Sequence, residues 1–108
     1  MTAIRICALD ELGQDEALRV DVDDFSIAIV KDSSGTVHAI GDTCTHGDIS
    51  LSEGFVEGET LECWAHGSKF SLLTGKPTSL PAYEPVPVYR VTIVDGDVFV
   101  DPYETIAV

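Results

Sequence analysis

Two short clips of metal-binding side chains set the strongest limit on how this chain can fold. Cys44-Thr45-His46 and Cys63-Trp64-Ala65-His66 read C-x-H and C-x-x-H, with 16 residues between His46 and Cys63. They use two of the three cysteines and two of the three histidines. Thiolate and imidazole donors in two close pairs point to a metal centre. If both clips serve one centre, the fold must bring two separate loops to the same place.

A length of 108 residues predicts one domain, large enough to bury about two-thirds of its unfolded surface without staples. The balance of 44% hydrophobic to 23% charged residues is that of a globular chain. No apolar run is long enough to span a bilayer. The N-terminal Met1-Thr2-Ala3-Ile4-Arg5 lacks the basic, apolar and small-residue regions of a signal peptide, which predicts a cytoplasmic protein. Three cysteines do not make a disulfide framework. The one outside the clips, Cys7, sits in the apolar stretch Ile4-Arg5-Ile6-Cys7-Ala8-Leu9 and reads as a small buried hydrophobe.

The net charge is -13, from 19 acidic and 6 basic residues. This disfavours nucleic acid and anionic membrane as partners, because both need cationic contacts. Asp42, Asp48, Glu53, Glu57, Glu59 and Glu62 lie around the clips. They read first as a solvated surface that keeps the chain soluble; steering toward a basic face on a redox partner is a second reading, and a salt dependence of electron transfer separates the two.

The rest of the chain reads as all-β. Strands are predicted over 3–7, 17–22, 25–31, 36–40, 86–94 and 97–101, with one possible turn of helix over 15–19. Ser33-Ser34-Gly35 and Asp95-Gly96 are hairpin turns. The middle is rich in Gly, Pro, Ser and Thr, with short strands at 60–62 and 69–72, a turn at Thr74-Gly75-Lys76 and a proline-stiffened loop over 80–85. The organisation predicted is one domain over 1–108: a β-sandwich base from 1–40 and 86–108, with a metal-binding loop subdomain over about 41–85. His38, in a predicted strand outside both clips, reads as an ordinary strand histidine.

The donor set leaves two metals open. Two cysteines and two histidines suit a tetrahedral structural zinc, although zinc clips usually pair like with like and place the histidines on a helix. The mixed pairs suit a two-iron centre, with both thiolates on one iron and both imidazoles on the other. Two ferric ions, two sulfides and two thiolates sum to a neutral oxidised centre that becomes a monoanion on reduction. A four-thiolate centre would pass from dianion to trianion, which costs more in a protein interior. Potentials accordingly rise from about -400 mV to roughly -150 mV and above when imidazoles replace two thiolates.

Cys44-Thr45-His46-Gly47-Asp48 and Cys63-Trp64-Ala65-His66-Gly67-Ser68 resemble the two cluster-binding boxes of Rieske [2Fe–2S] proteins, and the flanking strands extend the resemblance over nearly the whole chain. The resemblance implies a Rieske-type antiparallel β-sandwich with an inserted cluster-binding subdomain, and one [2Fe–2S] cluster. It implies that Cys44 and Cys63 ligate the inner iron and that His46 and His66 ligate the outer one. Gly47 and Gly67 would let backbone N–H groups approach, Ser68 would donate to a bridging sulfide and Pro81 would belong to a covering loop. Trp64 departs from the family, which has proline or a small polar residue there; its size favours burial under the cluster over an exposed docking surface. High-potential relatives carry a disulfide between the boxes and a tyrosine after the second. Here Ile49 and Ala65 stand at the cysteine positions and Phe70 at the tyrosine position, which implies a potential at the low end of the Rieske range.

The form of the family this chain resembles is the ferredoxin of bacterial ring-hydroxylating dioxygenase systems. That resemblance implies a non-catalytic electron carrier between a flavoprotein reductase and a terminal non-haem iron oxygenase. The small subunit of a nitrite reductase, a ferredoxin of iron–sulfur cluster assembly and a zinc-bound structural module are the alternatives.

Overall fold

β-branched and aromatic runs form nine strands among the described residues, as the alternation and turn residues require. The computed structural model describes residues 3–22, 25–43, 50–64, 67–78 and 86–105, with side chains of 102–104 excepted. The strands are β1 (Ile4–Ala8), β2 (Glu16–Val22), β3 (Phe25–Lys31), β4 (Val37–Gly41), β5 (Phe55–Glu57), β6 (Thr60–Glu62), β7 (Lys69–Ser71), β8 (Val88–Val94) and β9 (Asp97–Thr105). A six-stranded antiparallel sheet runs β1-β9-β8-β4-β3-β2, and a three-stranded one runs β5-β6-β7. The all-β reading therefore holds.

Two apolar clusters lie on opposite faces of β3. Ile27 and Ile29 join Cys7, Val98, Val100 and Tyr89 in one of them. Strands from both ends of the sheet order feed this cluster, so the sheet curls on itself. A shallow groove lined by Ile4 and Ile6 of β1 and by Val20 and Val22 of β2 marks where its two edges approach. Ala28 and Val30 turn the other way and join Ile40, Leu51, Leu61, Cys63, Phe70, Leu72, Val86 and Val88. Burial on both faces explains why β3 is a continuous apolar run rather than an alternating one.

The Asp95-Gly96 hairpin forms as predicted. Both residues have positive φ (50° and 78°), and Val94 pairs with Asp97 across the turn. No helix forms over 15–19. Asp15 takes a φ of 60° and donates its N–H to the Lys31 carbonyl, which starts β2 against β3. Single 3-10 turns occur instead at Leu9–Glu11 and Leu51–Glu53. The sequence reading also missed β5, because Phe55-Val56-Glu57 is too short to show a period.

Candidate metal centre

Leu51, Cys63 and Val86 lie next to three different loops in sequence and share one apolar cluster in space. Thr43 and Ser50, which flank residues 44–49, pair as an isolated β-bridge. The second loop turns between Cys63 and Ser68 at the end of β6. Thr78 and Val86 flank residues 79–85: the Thr78 N–H donates to the Lys69 carbonyl (2.6 Å) and the Val86 N–H to the Gly75 carbonyl (2.8 Å). Gly75 has a φ of +73°, and a Cβ there would sit 2.0 Å from the Val86 carbonyl oxygen. Only glycine fits so close a crossing.

The second loop is the better described. The Cys63 N–H donates to the Ser68 carbonyl (2.7 Å), and the Gly67 N–H donates to the Cys63 carbonyl (3.0 Å). Gly67 adopts a φ of +76°. The sharp reversal this permits turns the loop back within four residues. Cys63, Ser68 and Phe70 are fully buried. Cys63 is a free thiol beneath the loop, with no disulfide.

Trp64 departs from the sequence reading. Burial beneath a metal centre was the expectation, but Trp64 is 52% exposed. Trp64 lies in the turn that follows β6, and while its neighbour Cys63 is drawn fully into the core, the indole is left facing solvent. Phe55 is also exposed, at 61%, on the neighbouring strand, where it pairs with Glu62. Nothing in the sequence marked Phe55, because its strand was not recognised. Asp42 departs the other way. It was read among the solvated acids and is buried, accepting a hydrogen bond from the Ser52 N–H (2.9 Å) and one from the Ser50 hydroxyl.

Cys44, His46, Gly47, Ile49, Ala65, His66 and Pro81 lie outside the described residues. Among the described residues no group of three or more His, Cys, Asp or Glu could hold a metal. What is described fits a cluster held by the four proposed ligands. The one described ligand, Cys63, is a buried cysteine outside any disulfide, and it shares one apolar core with Leu51, which follows the first box.

The remaining cysteine and histidine are occupied elsewhere. Cys7 is buried in β1. Burial pushes its thiol up, helped by nearby Glu11, so it is the opposite of a reactive cysteine. His38 is buried in β4, with Nε2 2.7 Å from Asp32 Oδ2. Both readings from sequence hold.

The Rieske [2Fe-2S] domain family matches residues 2–90. The biphenyl dioxygenase ferredoxin subunit of Pseudomonas sp. (strain KKS102) is 43% identical over 102 residues, covering 94% of this chain and 93% of that protein. The ferredoxin of carbazole 1,9a-dioxygenase from Nocardioides aromaticivorans IC177 superposes with a TM-score of 0.89 at 33% identity, covering 94% of this chain and 99% of that one. A ferredoxin solved in a complex of reduced oxygenase and oxidized ferredoxin in carbazole 1,9a-dioxygenase superposes with a TM-score of 0.84 at 35% identity, covering 91% and 100%. With two mixed Cys/His boxes, an all-β fold and a match over most of its length, this chain belongs to the Rieske [2Fe-2S] domain family, and its cofactor is a Rieske-type [2Fe–2S] cluster.

Proposed function

We propose that this chain is the ferredoxin component of a ring-hydroxylating dioxygenase system. It takes one electron from a flavoprotein reductase and delivers it to a terminal non-haem iron oxygenase. The observation that carries the reading is the end-to-end likeness to a dioxygenase ferredoxin subunit: each of the two chains covers nearly all of the other. That likeness supports a carrier role without a catalytic step of its own. The solved ferredoxin–oxygenase pair supports an oxygenase as acceptor.

The cluster supplies one-electron chemistry when bound, and the chain's residues provide its setting. Cys44 and Cys63 are the thiolate ligands, and His46 and His66 the imidazole ligands at the outer edge. Buried Cys63, Ser68 and Phe70 close the inner side to water. Trp64, in the second box, and Phe55, on the strand paired with β6, are both exposed, and Glu53, Glu57 and Glu59 near Phe55 in sequence are exposed as well. Exposed acids and aromatics suit a partner with a basic rim around an apolar pocket. The division into a base (1–40, 86–108) and a cluster-binding subdomain (41–85) belongs to the same proposal, as do a cytoplasmic setting and a potential at the low end of the Rieske range.

The test is visible absorption and low-temperature EPR of the reduced protein, then electron delivery to a purified dioxygenase oxygenase through its reductase. A colourless, EPR-silent protein with one zinc and no sulfide overturns the ligand set. A Rieske spectrum with electron delivery to a nitrite reductase and none to an oxygenase overturns the partner.

A further inference from the structure

The first ligand box sits on a loop with a side-chain clasp at its base. Asp42, two residues before Cys44, is 2% exposed. Its Oδ1 accepts from the Ser52 N–H at 2.9 Å, and its Oδ2 accepts from the Ser50 hydroxyl. Its carbonyl accepts from the Leu51 N–H at 2.6 Å. The Ser50 and Ser52 hydroxyls lie 2.8 Å apart. One residue just past β4 thus holds three consecutive residues, 50–52, where the chain enters its second 3-10 turn. Asp42 is itself anchored: its N–H donates to the Ser26 carbonyl at 3.0 Å, and Arg19 Nε lies 3.7 Å from Oδ2. Both boxes have backbone closure, the second through the Cys63 N–H to Ser68 carbonyl bond, and the first adds the side-chain bonds of Asp42. The first loop is longer, and closing a longer loop costs more chain entropy, so side-chain bonds at its mouth have more to hold.

We propose that Asp42 is a positioning residue for the cluster: by tying residues 50–52 to the end of β4, two residues before Cys44, it holds together the two flanks of the first ligand box. This rests on the ligand assignment above. The bonds matter through their geometry, because a ligand loop with an open root must be ordered each time the cluster binds.

The experiment uses loaded wild type, Asp42→Ala, Asp42→Asn and Ser50→Ala. Cluster loss is followed as bleaching of visible absorption under a chelator, well below the melting temperature, and the reduced proteins are compared by EPR. Asp32→Ala is the matched control. Asp32 is equally buried and closes the β3–β4 turn through Ser34 and Thr36, far along the chain from both boxes. Asp42→Ala should lose its cluster about tenfold faster or more, with shifted g-values. Asp42→Asn, which keeps the acceptor for Ser52 N–H, should recover most of the loss. Asp32→Ala should lower the melting temperature and leave cluster loss near the wild-type rate. If Asp42→Ala does not fold, Ser50→Ala, which removes one clasp bond, should still speed cluster loss.

The proposal is overturned if the Asp42 or Ser50 variants bleach at the wild-type rate with unchanged g-values. It is overturned equally if Asn is as impaired as Ala, or if Asp32→Ala bleaches as fast as Asp42→Ala. A wild type lacking the Rieske spectrum would refute the ligand assignment instead, so the two failures are distinct.

Discussion

Trp64→Ala tests whether the exposed indole belongs to the partner or to the cluster. A tryptophan side chain covers up to about 250 Å² when buried. With 52% of Trp64 exposed, docking could cover about 130 Å² more. At about 25 cal/mol per Å², that is worth about 3 kcal/mol, an upper figure because association also orders the side chain. Losing it would weaken docking by up to roughly a hundredfold. The assay is single-turnover electron transfer from chemically reduced protein to oxygenase, over a range of oxygenase concentrations. The half-saturating concentration should rise by one to two orders of magnitude on this area scale. The limiting rate and the midpoint potential should stay at their wild-type values, because the indole turns away from the core that holds Cys63. A half-saturating concentration close to wild type refutes the docking role. A shifted potential with unchanged docking refutes the outward geometry and restores the burial that the sequence suggested.

Three further perturbations probe the site and the frame that carries it. Phe70→Tyr places a hydroxyl in the core beside Cys63; if it meets a cysteine sulfur, protein-film voltammetry should show a raised potential. An unchanged potential with a stability loss of about 1–3 kcal/mol would mean the hydroxyl is buried unpaired. Gly75→Ala should cost at least about 1–3 kcal/mol in thermal unfolding, from positive φ together with the clash at Val86. Gly35→Ala, with φ +89° but open space around it, should cost less. Burial alone would raise the Asp32 carboxyl, but bonds from His38, Ser34 and Thr36 outweigh it and hold the group at about 2, against an ordinary 3.8. A depressed carboxyl stabilises the fold above its unfolded value. The contribution, about 2 kcal/mol, is therefore present above about pH 4 and is lost as pH falls through about 2. In urea unfolding, the gap between wild type and Asp32→Asn should narrow from pH 5 to pH 3; a constant gap would refute the linkage.

The order of residues alone sets the cofactor class, the strand-rich ends and the Asp95-Gly96 hairpin. Each is written in neighbouring residues: donor atoms two or three positions apart, β-branched runs, and a dipeptide that tolerates positive φ at both positions. It did not reveal β5, where three residues carry no period, nor the direction of Trp64, which depends on Cys63 being drawn into the core. It placed Asp42 among surface acids because composition cannot see that residues 50–52 fold back over it. Leu51, Cys63 and Val86 meet only when the small sheet packs against Ala28 and Val30. The choice of metal chemistry is thus local and legible in the chain. Gathering the loop roots, burying one carboxylate and exposing one indole are long-range packing outcomes, and those only the tertiary structure decided.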